Sequence, residues 1–283
     1  MTMLNTYYLM ADVRSNLHEV SQAHWSDKEI LRKLNQVQTD LAMHLMLAPG
    51  AWLLKTASLV FAAGEATLPS DCAKPVHLIN NTLYTPIPIR RSVGEKRTST
   101  LPVYYSDAVH EAWLERGKIV VNIGDYAETC TLWYHESIPD LHGGTAGASS
   151  ATSALHLDVN NEPKFADDYY NSCTVEVIGQ TTGVIDISSI VSDYVGSTKI
   201  MTIVGTPASG DYYGTISKLP GECYSALVLG ATVRCLAKPS ATVDEKCYDK
   251  FLLMQKDSWS VLKQWINDYT LDERHTRITG IAE

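Results

Sequence analysis

The sequence predicts an α+β fold. A helical core, made of an N-terminal helix pair and a C-terminal antiparallel helical hairpin, carries β hairpins and an inserted β-rich element. Three observations support this. Residues 26–46 repeat apolar side chains at helical spacing behind a capping signal. After Pro49 the apolar period shortens to that of strands. Residues 219–267 return to helical spacing as two runs joined by a short link.

The elements follow in order. Leu9, Val13 and Leu17 lie on one face of a short helix over residues 5–20. Ser26 and Glu29 form a capping box, and Asp27 suits the positive helix end. Ile30, Leu34, Val37, Leu41 and Leu45 then repeat until Pro49-Gly50. A strand through Leu59 and Phe61 turns at residues 63–65 and returns. Residues 76–79 and 83–89 form a second pair, with Pro86 and Pro88 placing the return strand at an edge. Val109 and Trp113 share a face of a short helix over 107–116. Residues 118–122 and 128–134 pair around Gly124-Asp125. Residues 141–157 are small and polar and read as a linker, before β runs at 174–179, 183–191 and 200–205. In the last helix Cys247, Phe251, Met254, Ser258, Val261 and Trp265 keep roughly helical spacing to Asn267. The expected divisions are a core of residues 1–139 and 216–270, an inserted β-rich element at 140–215, and an extended arm at 271–283.

Composition narrows the function. A chain of 283 residues buries about 75% of its unfolded surface without a disulfide or metal staple. The net charge of −9 argues against gripping nucleic acid, which needs clustered Lys and Arg. It is compatible with an acidic wall that DNA slides past. The six cysteines lack metal-ligand spacing and read as reduced, mostly buried thiols. No basic stretch leads into an apolar run at the start, so neither a signal peptide nor a membrane span is expected, and folding in the cytoplasm is.

Catalytic motifs are incomplete. His135-Glu136 continues as HESIP, with Pro139 where HExxH needs its second His. His142-Gly143-Gly144 is similar to an esterase oxyanion loop, but no GxSxG accompanies it. Gly205–Gly210 reads as a turn. Neither a catalytic residue, a metal ligand nor a cofactor is expected.

Four stretches, WSDKEILRKLNQVQTDLA, TASLVFAAGEATLPSDCAKPVHLIN, YTPIPIRRS with TLWYHE, and LPGECYSALVLGATVRCL with the Phe251 helix, occur in an order that resembles the head-to-tail adaptor (connector) proteins of tailed bacteriophages. They cover about half of the chain, and the 140–215 element departs from the compact form of that family. The resemblance implies a structural virion protein in the neck, made in the host cytoplasm. It implies a ring of this chain, usually of twelve copies, below the portal protein ring. Such a ring extends the DNA channel, without specific binding of the genomic DNA, and docks tail or neck proteins. No membrane is involved.

Under this reading Arg274, His275, Arg277 and Ile278 are the candidate portal-binding arm. Leu227, Phe251, Trp259 and Trp265 are the candidate subunit-packing residues. The alternative is a tail-associated module that recognises a glycan or fibre through the β-rich element, with Tyr169, Tyr170, Tyr212 and Tyr213 as stacking residues. A hydrolase around His135 and Glu136 ranks last.

Overall fold

The computed structural model of the chain describes residues 4–19, 24–48, 52–90, 111–121, 126–147, 152–238 and 245–279, the side chains of residues 245 and 269–279 excepted. Its elements in chain order are α1 (Thr6–Asn16), α2 (Asp27–Leu47), β1 (Leu54–Val60), β2 (Glu65–Thr67), β3 (Cys72–Asn80), β4 (Pro86–Ile87), β5 (Ile89–Arg90), β6 (Ala112–Glu115), β7 (Lys118–Val121) and β8 (Thr129–Glu136). There follow β9 (Gly143–Thr145), β10 (Ala154–His156), β11 (Thr174–Ile178), β12 (Ile185–Ile190), β13 (Asp193–Val195), β14 (Ile200–Thr202), β15 (Tyr212–Thr215), α3 (Tyr224–Leu236) and α4 (Glu245–Thr279).

This overturns the expected helical core. Among the described residues, fifteen strands in four sheets stand against four α-helices. The physical reason is that the strands enclose apolar cores of their own. An alternating strand exposes one apolar face, and here another sheet covers it.

Contacts divide the chain into two compact units, Met1–Gly50 with Ile138–Glu283, and Ala51–Ser137.

The second unit holds two four-stranded sheets, β1-β8-β3-β4 and β2-β7-β6-β5. Cys130, Leu132 and Tyr134 of β8 point inward and alternate with Thr131 and Trp133. They meet Ala66, Ala112, Ile119 and Val121 of the other sheet in one cluster. β4 lies at an edge, as Pro86 and Pro88 require.

The expected pairings differ in three places. β1 and β2 are not a hairpin ladder: they join different sheets, linked at the turn by a single Ala62–Glu65 bridge. β7 pairs with β2 and β6, not with β8. Residues 112–115 of the expected short helix are strand β6, because Trp113 pairs with Val120 and buries its ring; residues 107–110 lie outside the described residues.

The first unit is layered. A three-stranded sheet, β10-β14-β13, and a four-stranded sheet, β12-β11-β15-β9, enclose Leu155, Val175, Val177, Tyr194, Met201 and Tyr213. α1 packs on the other face of the four-stranded sheet. There Asn5 caps α1 and donates to Glu176 at 2.7 Å, and Thr6 donates to the Thr215 carbonyl at 2.6 Å. A Cβ on Gly214 would lie 2.6 Å from the Tyr7 backbone nitrogen, so α1 can approach β15 this closely only over glycine. The expected linker contains β9 and β10, held by pairing to β15 and β14; residues 148–151 lie outside the described residues.

α2 begins at Ser26 with both hydrogen bonds of the capping box. α3 touches α1, α2 and α4. This accounts for its nearly continuous apolar sequence: most of its residues are buried, with Ser225 exposed and Tyr224, Leu229 and Arg234 half-buried. Gly230 lies where a Cβ would meet Val37 of α2 at 2.9 Å and Gln255 of α4 at 3.4 Å. Val233 and Leu236 meet Phe251, so α3 and α4 run antiparallel. The buried Gln38 of α2 ties both ends of the β-rich stretch to the helices. It donates to the Pro139 carbonyl at 2.9 Å and accepts from Ser217 at 2.6 Å.

Candidate functional site

α4 has 35 residues, longer than the helix expected to end near Asn267. The extended arm expected from residue 271 is corrected by this: to Thr279 the backbone continues as helix. Of Arg274, His275, Arg277 and Ile278 only that helical backbone is described, and residues 280–283 lie outside the described residues.

Leu227 is fully buried in α3, and Phe251 packs on Val233 and Leu236. Both belong to the core of the chain itself. Trp259 is half-buried, its ring edge-on to His44 of α2 at 5.5 Å. Trp265 is half-buried too.

The inner stripe of α4 is Phe251, Leu262 and Ile266. Met254 and Val261, which share its roughly helical spacing in the sequence, are exposed, as is Leu253; Val261 is 68% exposed. At about 100° per residue, Met254 and Val261 sit roughly 60–80° round the helix from Phe251. The sequence spacing averaged over this offset and merged two apolar sides into one. The signal that separates them is the step of four from Leu262 to Ile266 beside the step of seven from Met254 to Val261.

The four tyrosines assigned to glycan stacking are placed otherwise. Tyr170 and Tyr213 are buried, within a cluster that includes Tyr194. Tyr169 accepts from the Asp140 backbone N–H at 3.1 Å. Tyr212 stacks on Tyr7 with centroids 4.9 Å apart. No shared stacking platform results from these positions.

His135 is buried, with Nδ1 2.9 Å from the Trp52 carbonyl. Glu136 lies 3.8 Å from Lys55, which also holds Asp71 at 2.6 Å. Burial pushes the Asp71 carboxyl up, but hydrogen bonds from Lys55 and Tyr134 outweigh it and hold the group below its ordinary range. The hydrogen bond to Asp71 raises Lys55 in turn. This is an ion-pair cluster that ties β1 to the start of β3 and to β8.

Among the described residues, no group of three or more His, Cys, Asp or Glu is placed to hold a metal ion, and no helix is long and apolar enough to cross a membrane. Cys130, Cys173, Cys223 and Cys235 are buried, and burial pushes the thiols of Cys223 and Cys235 up to about 12. Such thiols are poor nucleophiles at neutral pH. Arg90 pairs with Glu111 at 2.9 Å, and the neighbouring basic residues Arg91, Lys96 and Arg97 lie outside the described residues. Comparison with protein families and with curated proteins finds no matching family model and no matching protein.

Proposed function

We propose that the chain is a head-to-tail adaptor of a tailed bacteriophage: a non-enzymatic virion protein that forms a ring under the portal, extends the DNA channel and docks the tail. The observation that carries the reading is α4. It buries Phe251, Leu262 and Ile266 within the chain and turns Met254 and Val261, seven residues apart on one line, outward. A helix with a second apolar side calls for a second partner. In a ring that partner is another copy, and many equivalent weak contacts then act together on a preformed portal. The net charge of −9 suits a channel wall from which DNA is released.

The test is to mix the purified protein with the portal ring encoded beside it, followed by sedimentation and electron microscopy. The reading expects a heavier particle with one added ring, and loss of that ring when Met254 and Val261 are both changed to Lys. An intact portal ring that leaves the protein unbound would overturn it.

A further inference from the structure

Four sheets leave eight edge strands among the described residues: β1, β2, β4, β5, β9, β10, β12 and β13. An edge strand presents unpaired backbone groups, and proteins guard it by shortness, proline, charge or a bulge. Six of the eight have only two or three residues, and β4 also starts with Pro86. β12 has six, but it carries Asp186 and its ladder with β11 shifts register at Val177/Ile178. β1 has seven residues, no proline, and an unbroken register with β8 from Leu54↔His135 to Val60↔Thr129. Its one charge, Lys55, is held by Asp71 at 2.6 Å.

The bonds at the ends of β1 show which way its backbone groups point. The Phe61 N–H donates to the Glu128 carbonyl at 3.0 Å, and the Glu136 N–H to the Leu53 carbonyl at 2.9 Å. Both continue the β1–β8 register, and alternate residues of an antiparallel strand bond to the same side. Residues 55, 57 and 59 therefore bond to β8. Leu54, Thr56, Ser58 and Val60 turn N–H and C=O away from it, where no described strand pairs with them. The side chains of Thr56, Ser58 and Val60 are exposed.

The strand also complements itself. Set antiparallel to a copy of itself about Ala57, LKTASLV places Leu54 opposite Val60, Thr56 opposite Ser58 and Ala57 opposite Ala57. Aliphatic meets aliphatic, hydroxyl meets hydroxyl, and Lys55 is opposite Leu59 rather than a second Lys. Leu54–Val60 and Thr56–Ser58 are then the hydrogen-bonded pairs, which matches the outward direction of their backbone groups.

We propose that β1 pairs with β1 of a second copy, antiparallel about Ala57, and joins two four-stranded sheets into one. Such a contact is isologous and turns the two copies to face opposite ways, whereas the copies of a ring face one way. The pair is therefore a form of the free protein and stands apart from the α4 contact of the adaptor reading.

The test is sedimentation equilibrium of the full chain without portal. Twice the chain mass is expected at high concentration, with half association on the order of 10 μM, since one strand from each copy makes a small interface. Ser58→Pro removes an outward N–H and none that bonds to β8, so the fold should stand and pairing weaken by about tenfold or more. Thr56→Lys with Ser58→Lys sets like charges opposite one another and should prevent pairing, as should Thr56→Glu with Ser58→Glu; an equimolar mixture of the two should restore it. Met254→Lys with Val261→Lys should leave the pair unchanged. A single-chain mass up to about 100 μM would overturn the proposal. So would a pair that persists in both Ser58→Pro and the Lys variant, a pair lost in the Met254/Val261 variant, or a mixture of folded Lys and Glu variants that stays unpaired.

Discussion

In the second unit apolar side chains, Leu59, Phe61, Leu78, Ile119 and Leu132 among them, form the cluster between the sheets, and among the described residues its buried polar side chains are Asn80, bonded to Tyr126, and His135, bonded to the Trp52 carbonyl. In the first unit a two-sheet core of the same kind adjoins buried polar groups: His142 against Tyr213, Asn5 against Glu176, Thr6 against Thr215. The difference is in what each region requires. Area burial is non-directional, so an apolar core tolerates exchanges of similar volume. A buried hydrogen-bond network is stabilising only when each member is satisfied. The first unit uses such bonds where the chain is least local, joining Asn5 to Glu176 and Gln38 to Pro139 and Ser217. They select one way for the helices to meet the sheet.

The largest expected effect is in the apolar core. Phe61→Ala should cost about 3–5 kcal/mol in urea unfolding. Hydrogen exchange should rise in β1, β3 and β8 and stay unchanged in α1 and β11. Uniform loosening of both units would break the contrast between them.

Asn5→Ala should cost about 3 kcal/mol, from the lost α1 cap and the unpartnered Glu176. Its exchange pattern should be the reverse, with α1 and β11 affected. Restoring part of the loss with Glu176→Gln would show that the penalty lies in the carboxylate left behind.

Acid should separate the units further. The folded pKa of His142, about 3, lies below the ordinary 6.5. The stability it contributes is therefore present above pH 6.5 and lost as pH falls from there towards 3. At about 1.4 kcal/mol per pH unit, the first unit should lose about 2 kcal/mol by pH 5. A histidine NMR titration in which His142 gains its proton above pH 5 would contradict this.

The smallest effect belongs to the exposed cluster of the second unit. The Asp71 carboxyl is held below its ordinary 3.8, so its contribution is present above that pH and fades as pH falls through the folded value. Because the pair with Lys55 is partly exposed, Asp71→Asn should cost only about 0.2–1 kcal/mol at neutral pH. The variant should also flatten the acid limb of the second unit below pH 4. A larger loss would mean that the hydrogen bond from Tyr134 matters more than the ion pair.

The elements read correctly from sequence are those whose cause is local. The Ser26–Glu29 box lies within one helical turn, and the N–H groups missing at Pro86 and Pro88 suit β4 to an edge, whereas Pro75 is accommodated inside β3 beside a bulge. The misread ones depend on distant partners. Trp113 was spaced like a helical residue from Val109, yet β7 draws it into a sheet. Gly143 and Gly144 had the composition of a linker, yet β15 pairs with them. His142 sits in an oxyanion-loop pattern that no GxSxG completes, and its actual partner, Tyr213, comes from a strand 71 residues away.

The sequence by itself determined where α2 starts, that α3 would be a largely buried helix, and which strand would lie at an edge. These follow from capping, from apolar residues around a whole helix, and from the missing N–H of proline. Only the tertiary structure decided which strands pair, which side of α4 faces inward, and that residues 138–217 are joined to the helices. Those choices rest on contacts between residues far apart in the chain, where period and propensity hold no record of the partner.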